Sequence, residues 1–195
     1  MQAKTRLVLI CHAATEATRR ARFPADEPLD DHGLADAQAA AGTVGSVDRA
    51  LTAPATRCRQ TASALGLDAT VEVRLREVDC GRWAGRSLAE VETAEPDGVL
   101  SWLTDPAAAP HGGESVVELV ERVGGWLDGL EATERIVVVT HAAVIRAAIV
   151  HAIRATPESF WRIDVAPLDQ TVLNGQNGRW TLRLGGHRVR QGHAG

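Results

Sequence analysis

The chain has 195 residues, with 21 lysines and arginines against 25 acids, a net charge of −4, and 45% hydrophobic residues. That length suits one compact domain and leaves no room for a second without a visible linker, and the acidic balance argues against nonspecific binding to nucleic acid. No apolar run approaches the roughly 20 residues that a bilayer crossing takes, which argues against a membrane partner.

Near the N-terminus, Leu7–Ile10 is too short for the apolar part of a signal peptide, so a cytoplasmic location is expected. Cys11, Cys58 and Cys80 form no CxxC pair and leave one thiol over, which supports neither a disulfide framework nor a thiolate zinc site. Arg6–Ile10 reads as a buried strand that runs directly into Cys11 and His12. Arg19, Arg20 and Arg22 follow as a local concentration of positive charge, a candidate anion-attracting rim. Further strands are predicted at Arg49–Thr52 and Val71–Val73. Ser87-Leu88-Ala89-Glu90 reads as a capping box opening a short helix. Ser115–Leu130 carries Val116, Val120, Val123, Leu127 and Leu130 at steps of four and three, an apolar stripe suited to lying on a sheet. Arg135–Thr140 is predicted as another strand, ending at His141, and "TVLNGQNGRWTLRL" as a hairpin turning at Asn and Gly. The alternation describes a single α/β domain over residues 1–186, with a polar tail from His187 over 187–195.

Ligands of such sheets bind beyond the carboxyl ends of the strands. His12 and His141 both stand immediately after predicted strands, so two histidines distant in sequence are expected to meet at one edge of the sheet. Cys11 does not fit a cysteine phosphatase: that chemistry places an arginine six positions after the nucleophile, and position 17 is Ala17. Cys11 and His12 are also neighbours in an extended segment, so their side chains point to opposite sides.

These residues resemble the histidine phosphatase (phosphoglycerate mutase-like) superfamily along most of the chain. Its strand followed by Arg-His-Gly and a threonine two positions on is matched by Cys11-His12-Ala13-Ala14-Thr15, and its Ser-Pro-Leu-x-Arg-x-x-Gln-Thr-Ala by "APATRCRQTA" with Arg57 in the arginine position. "EVDCGRWAG" matches Glu-x-x-x-Gly-x-Trp-x-Gly with Glu77 first, "HGGES" matches a helix start, and "VVVTHAAVIR" matches the strand carrying the second histidine. The resemblance implies a three-layer α/β/α fold with a mostly parallel central sheet. It also implies a metal-independent phosphomonoesterase, without cofactor, acting on a small phosphorylated metabolite.

A phosphate monoester needs a nucleophile facing phosphorus, donors around its equatorial oxygens, and an acid for the leaving alkoxide. His12 would be the nucleophile, its other nitrogen held by a backbone carbonyl; Arg57 would bind two phosphate oxygens. His141 and the helix start at Ala142 would donate to another oxygen. Glu77 would be the acid and later the base, provided burial raises its proton affinity. Thr15, Arg19, Arg22 and position 11 complete the candidate substrate contacts, and the loops over 23–31 and 93–111 are expected at the pocket mouth. A metal is not expected, because His12 and His141 lack a carboxylate at a recognisable spacing. The chain is shorter than the family's mutases, which favours a phosphatase.

Two departures matter. Cys11 replaces an arginine, the loss of one donor to transition-state charge, worth roughly 10²–10³ in rate unless Arg19, Arg20 or Arg22 reaches in. Ala13 replaces a glycine where positive φ or close approach is at stake. The alternative is therefore a catalytically degenerate relative that binds a phosphorylated ligand or partner, or a repurposed pocket doing other acid–base chemistry. Substrate identity and oligomeric state are not legible.

Overall fold

A computed structural model describes residues 4–130, 134–176 and 178–184. Its first strand, β1 (Thr5–Cys11), has no polar alternation because both of its faces are covered, and Leu7 and Leu9 are fully buried. It pairs in parallel with the equally apolar β4 (Arg135–Thr140), in a register that sets Cys11 opposite Thr140. The residues that follow each strand, His12 and His141, are thereby delivered to the same end of the sheet.

On the far side of β4 lie β2 (Arg49–Thr52) and then β3 (Thr70–Val71), both parallel. On the other side of β1 lie β5 (Gln170–Gln176) and β6 (Arg179–Arg183), an antiparallel hairpin that turns through Gly178 at φ +69°. The sheet order is β3-β2-β4-β1-β5-β6. The third predicted strand needs correction. Only Thr70–Val71 pairs, Val73 opens a 3-10 turn, and Val71 and Val73 are exposed, because this is an edge and not an interior strand. The expected tail over 187–195 lies outside the described residues.

Helices flank the sheet: α1 (Glu16–Arg19), α2 (Asp31–Ala39), α3 (Thr56–Ala64), α4 (Leu88–Ala94), α5 (Pro96–Thr104), α6 (Val116–Asp128) and α7 (Ala142–Ala152). The capping box at Ser87 and Glu90 opens α4, and a second, at Ser115 and Glu118, opens α6. In α6 the buried face is broader than the valine and leucine stripe, since Leu119 and Trp126 also enter the core. Its last predicted residue, Leu130, lies beyond the C-cap at Gly129.

Two backbone approaches explain why separate motifs appear together. Gly33 of α2 sits against the segment after β1: a Cβ there would lie 2.1 Å from the Ala14 carbonyl oxygen. Gly81 and Gly113 pack the third and fourth motifs against each other, where added Cβ atoms would fall 2.2 Å from His111 O and 2.0 Å from Asp79 O. Backbone hydrogen bonds close that contact, from Arg82 N to His111 O and from Glu114 N to Asp79 O. The joined loops fix the position of Glu77, which precedes them.

Candidate active site

The local sequence places each polar side chain. Arg57 lies in the first turn of α3, directly after β2, and is 1% exposed. Thr61, one turn further on, accepts from Ala13 N at 3.0 Å and donates to Arg57 O at 2.8 Å, so it ties the end of β1 to α3. Gln60 accepts from Leu29 N at 2.8 Å and holds the loop that carries Ala25 and Glu27. Those two residues supply a carbonyl 2.6 Å from Arg57 Nη1 and a carboxylate oxygen 3.5 Å from it.

His12 is 5% exposed. Its Nδ1 lies 2.8 Å from Ala13 O. A carbonyl only accepts, so Nδ1 carries the proton and Nε2 the lone pair, which faces the Arg57 Nε–H at 3.2 Å. Burial, with repulsion from His141 and Arg57, pushes the His12 pKa down to about 4. The ring is therefore neutral at ordinary pH, with its free nitrogen beside a guanidinium. Ala13 is fully buried and is not among the residues with positive φ, so alanine meets no left-handed backbone strain at this position.

Glu77 Oε2 accepts from Arg57 Nη2 at 3.0 Å and from His141 Nδ1 at 2.9 Å. The 3.3 Å approach of Arg57 Nη2 to His141 Nδ1 brings two donors together around that shared carboxylate. Here the sequence expectation is corrected: burial does push the Glu77 carboxyl up, but His141 and Arg57 outweigh it, and the net direction is downward. In this arrangement Glu77 is a carboxylate. His141 is fully buried, stands 5.4 Å from His12 between ring centroids, and is backed by Cys58 Sγ at 3.6 Å from its Nε2. It holds Glu77 from behind and does not itself line the pocket.

His12, Arg57 and Glu77 open onto a pocket of about 320 Å³. Ala142 and Ala143 line it from the start of α7, which has no side-chain cap, so its first backbone donors and positive dipole end serve the pocket. Phe23, Trp102, Phe160 and Trp161 give it an aromatic wall. The mouth expected from residues 23–31 and 93–111 is represented by Phe23, Pro24, Glu27 and Trp102.

Three predicted contacts, Cys11, Thr15 and Arg19, are placed otherwise. Cys11 is 2% exposed in the main core and does not line the pocket; burial pushes its thiol up to about 12, so it stays protonated. Thr15 is fully buried as the N-cap of α1 and donates to Glu27 Oε1 at 3.3 Å, acting at one remove by holding a partner of Arg57. Arg19 turns away to Asp30, and Arg20 pairs with Glu16, so neither reaches in. Arg22 does line the pocket, with Nη1 donating to Gly85 O at 3.0 Å. His111 packs on Trp83 and accepts from Gly113 N, away from the pocket.

The structure also revises the reason for expecting no metal. A carboxylate that no spacing revealed does join the histidines: ligand atoms of His12, Glu77 and His141 lie within 4.8 Å of one another. Arg57 nevertheless bridges the same atoms, bonded to both His12 and Glu77, and a fixed guanidinium among the donors repels a divalent ion. Sequence reading missed three polar residues of the pocket: Thr18, Glu114 and Arg146, the last being the lone charged residue inside the apolar "AAVIRAAIV" of α7.

A family model described as the histidine phosphatase superfamily (branch 1) matches residues 7–187. Glucosyl-3-phosphoglycerate phosphatase of Mycolicibacterium vanbaalenii is 32% identical over 97% of this chain and 88% of its own. Phosphoserine phosphatase 1 of Hydrogenobacter thermophilus is 26% identical over 87% of this chain and 86% of its own. Among solved structures, mycobacterial glucosyl-3-phosphoglycerate phosphatase complexed with VO3 aligns with a TM-score of 0.82 at 28% identity, over 92% of this chain and 97% of that one. A phosphoserine phosphatase mutant from Entamoeba histolytica shares the fold, with a TM-score of 0.83 at 21% identity over 91% of this chain and 94% of that one. With two histidines at neighbouring strand ends, an arginine at the start of α3 and five sequence blocks gathered around one pocket, the chain belongs to the histidine phosphatase superfamily, branch 1.

Proposed function

We propose that the protein hydrolyses a small phosphate monoester through a phosphohistidine formed on His12. The observation that supports this most is the fixed tautomer of a buried, neutral His12, whose Nε2 lone pair faces the pocket beside Arg57 and Glu77. A histidine with its proton committed elsewhere needs no base to attack.

When a phosphate enters, the Arg57 Nε–H that caps Nε2 turns to a phosphate oxygen, and the lone pair is left for phosphorus. Nε2 forms the P–N bond while the ester P–O bond breaks, and the departing alkoxide takes a proton. Glu77 is the donor. Its carboxylate is ionised only because Arg57 and His141 hold it so. An anion that draws the Arg57 guanidinium to itself loosens that hold and lets Glu77 take up a proton as the substrate monoanion binds. In the second half, water attacks phosphorus, Glu77 accepts its proton, the P–N bond breaks, and inorganic phosphate leaves. The amides of Ala142 and Ala143 meet the equatorial oxygens. No metal has a part in this route.

Relatives named for glucosyl-3-phosphoglycerate and phosphoserine point to a phosphorylated metabolite of modest size, in keeping with the pocket. The test is phosphate release from an aryl phosphate and a panel of metabolite monoesters by wild type and His12→Ala. Release by wild type, lost in His12→Ala, is the expected result. Release that survives in His12→Ala overturns the phosphohistidine route, and phosphate binding without release favours the degenerate reading that Cys11 raised.

A further inference from the structure

Arg57 alone does not balance a phosphate. It is bracketed by two carboxylates, Glu77 at 3.0 Å and Glu27 at 3.5 Å, so the immediate surroundings carry more negative than positive charge before any anion arrives. The arginine that ordinarily stands at position 11 is a small, buried thiol, and the rim arginines Arg19 and Arg20 are committed elsewhere.

Arg146 is placed differently from all of these. Ala142, Ala143 and Arg146 lie four and three residues apart, on one face of α7, and all three line the pocket that holds His12 and Arg57. Its Nε donates to Ile163 O at 2.8 Å, and its guanidinium carbon lies 5.8 Å and 5.9 Å from the ring centroids of Phe160 and Trp161. That fixes the plane of the group and leaves Nη1 and Nη2 for a ligand. Among the described residues no carboxylate forms an ion pair with it, although the side chain is half-buried. The exposed carboxylate of Asp164 acts on it only across space, from beyond ion-pair distance, so a guanidinium taken partly out of water still gains from an anion that occupies the pocket. Its field reaches the end of β1, where it acts on the Cys11 thiol, and it also reaches Glu77.

We infer that Arg146 provides, from α7, the second phosphate-binding guanidinium that β1 lacks at position 11. The inference rests on the phosphomonoesterase reading of this pocket, and it makes the site rearranged instead of depleted. A short side chain at position 11 and a long cation at position 146 are then two halves of one solution, since an arginine at both places would crowd like charges.

The test is a cycle of Arg146→Ala, Arg146→Lys, Cys11→Arg and the double variant Cys11→Arg/Arg146→Ala. Each is measured for kcat/KM on p-nitrophenyl phosphate and for binding of inorganic phosphate by calorimetry. Thermal unfolding separates any loss due to the Ile163 and aromatic contacts. Arg146→Ala is expected to lower kcat/KM by ~10²-fold or more and to weaken phosphate binding. Arg146→Lys should recover part of the loss, and Cys11→Arg should recover at least tenfold in the Arg146→Ala background while adding little to wild type.

If wild type binds phosphate without turnover and Arg146→Ala abolishes the binding, the hydrolase reading fails and this inference stands. Should Arg146→Ala leave both readouts within threefold of wild type, the inference falls while the hydrolase reading survives. A loss confined to carboxylate-bearing esters such as phosphoserine also overturns it, because Arg146 would then serve the leaving group.

Discussion

On the proposed route His12 attacks as the neutral imidazole, and its surroundings set a pKa near 4 in place of the ordinary 6.5. At pH 5.5 a group titrating at about 4 is roughly 3% protonated, whereas one titrating at 6.5 is about 91% protonated. The folded chain thus refuses a proton that the unfolded chain binds throughout the window from 6.5 down to 4. Unfolding takes up protons there, so stability falls as the pH is lowered. The gap from 6.5 to about 4 corresponds to about 3 kcal/mol at ~1.36 kcal/mol per pH unit. The lowered carboxyl of Glu77 adds a loss of the same sign only below its ordinary 4.5, and His111, also lowered, shares the histidine window. Comparison with His12→Gln isolates the His12 part. The assay is urea unfolding of wild type and His12→Gln between pH 7.5 and 4.5, beside an NMR titration in which His12 signals are assigned by their absence from the variant. Wild type should lose more stability than the variant across this range, with His12 itself titrating near 4. Parallel pH dependences, or an imidazole that titrates near 6.5, would refute the reasoning.

Glu77→Gln keeps the hydrogen-bonding shape but cannot pass a proton. It should cost ~10²–10⁴-fold in kcat/KM, which reports phosphorylation and not the later water attack, on an alkyl phosphate and far less on p-nitrophenyl phosphate, whose leaving group needs no acid; equal losses in kcat/KM on both would deny Glu77 the role of acid. Because Arg57 already bridges His12 and Glu77, prolonged treatment with a chelator should leave phosphate release unchanged, and loss restored by a divalent ion would contradict this. Gly33→Ala places a methyl group 2.1 Å from the Ala14 carbonyl oxygen, so the fold should lose roughly 1–3 kcal/mol in urea unfolding, and an unchanged midpoint would mean that α2 does not seat there as described.

The sequence reached the site through local signals and missed what depends on packing between distant segments. His12 and His141 were legible because each follows an uninterrupted apolar strand, and β1 and β4 prove to be neighbours in the sheet. The arginine of α3 and Glu77 came from motifs, whose glycines and threonine turn out to be the contacts that join one block to the next. Val73 was misplaced because an apolar β-branched residue at an exposed edge carries the same local signal as one in the interior. The charge state of Glu77 was not legible either, since burial and two cations act in opposite senses and only coordinates weigh them. Arg19 and Arg22 drew attention by clustering, yet Arg19 is claimed by Asp30, an acid eleven residues further along. Arg146 had a quieter signal, one cation on an otherwise apolar helix four residues after Ala142, and periodicity from the helix start would have aimed it at the same pocket.

The central claim is a phosphoryl group carried by His12. Its most direct test is a rapid mix of wild type and Glu77→Gln with p-nitrophenyl phosphate, quenched in alkali because the P–N bond is acid-labile, followed by proteolysis and mass spectrometry. The account predicts one phosphoryl group on His12, in larger amount in Glu77→Gln, where the water-attack step is slowed. Turnover with no phosphoryl group on His12, or with one on another residue, would contradict it.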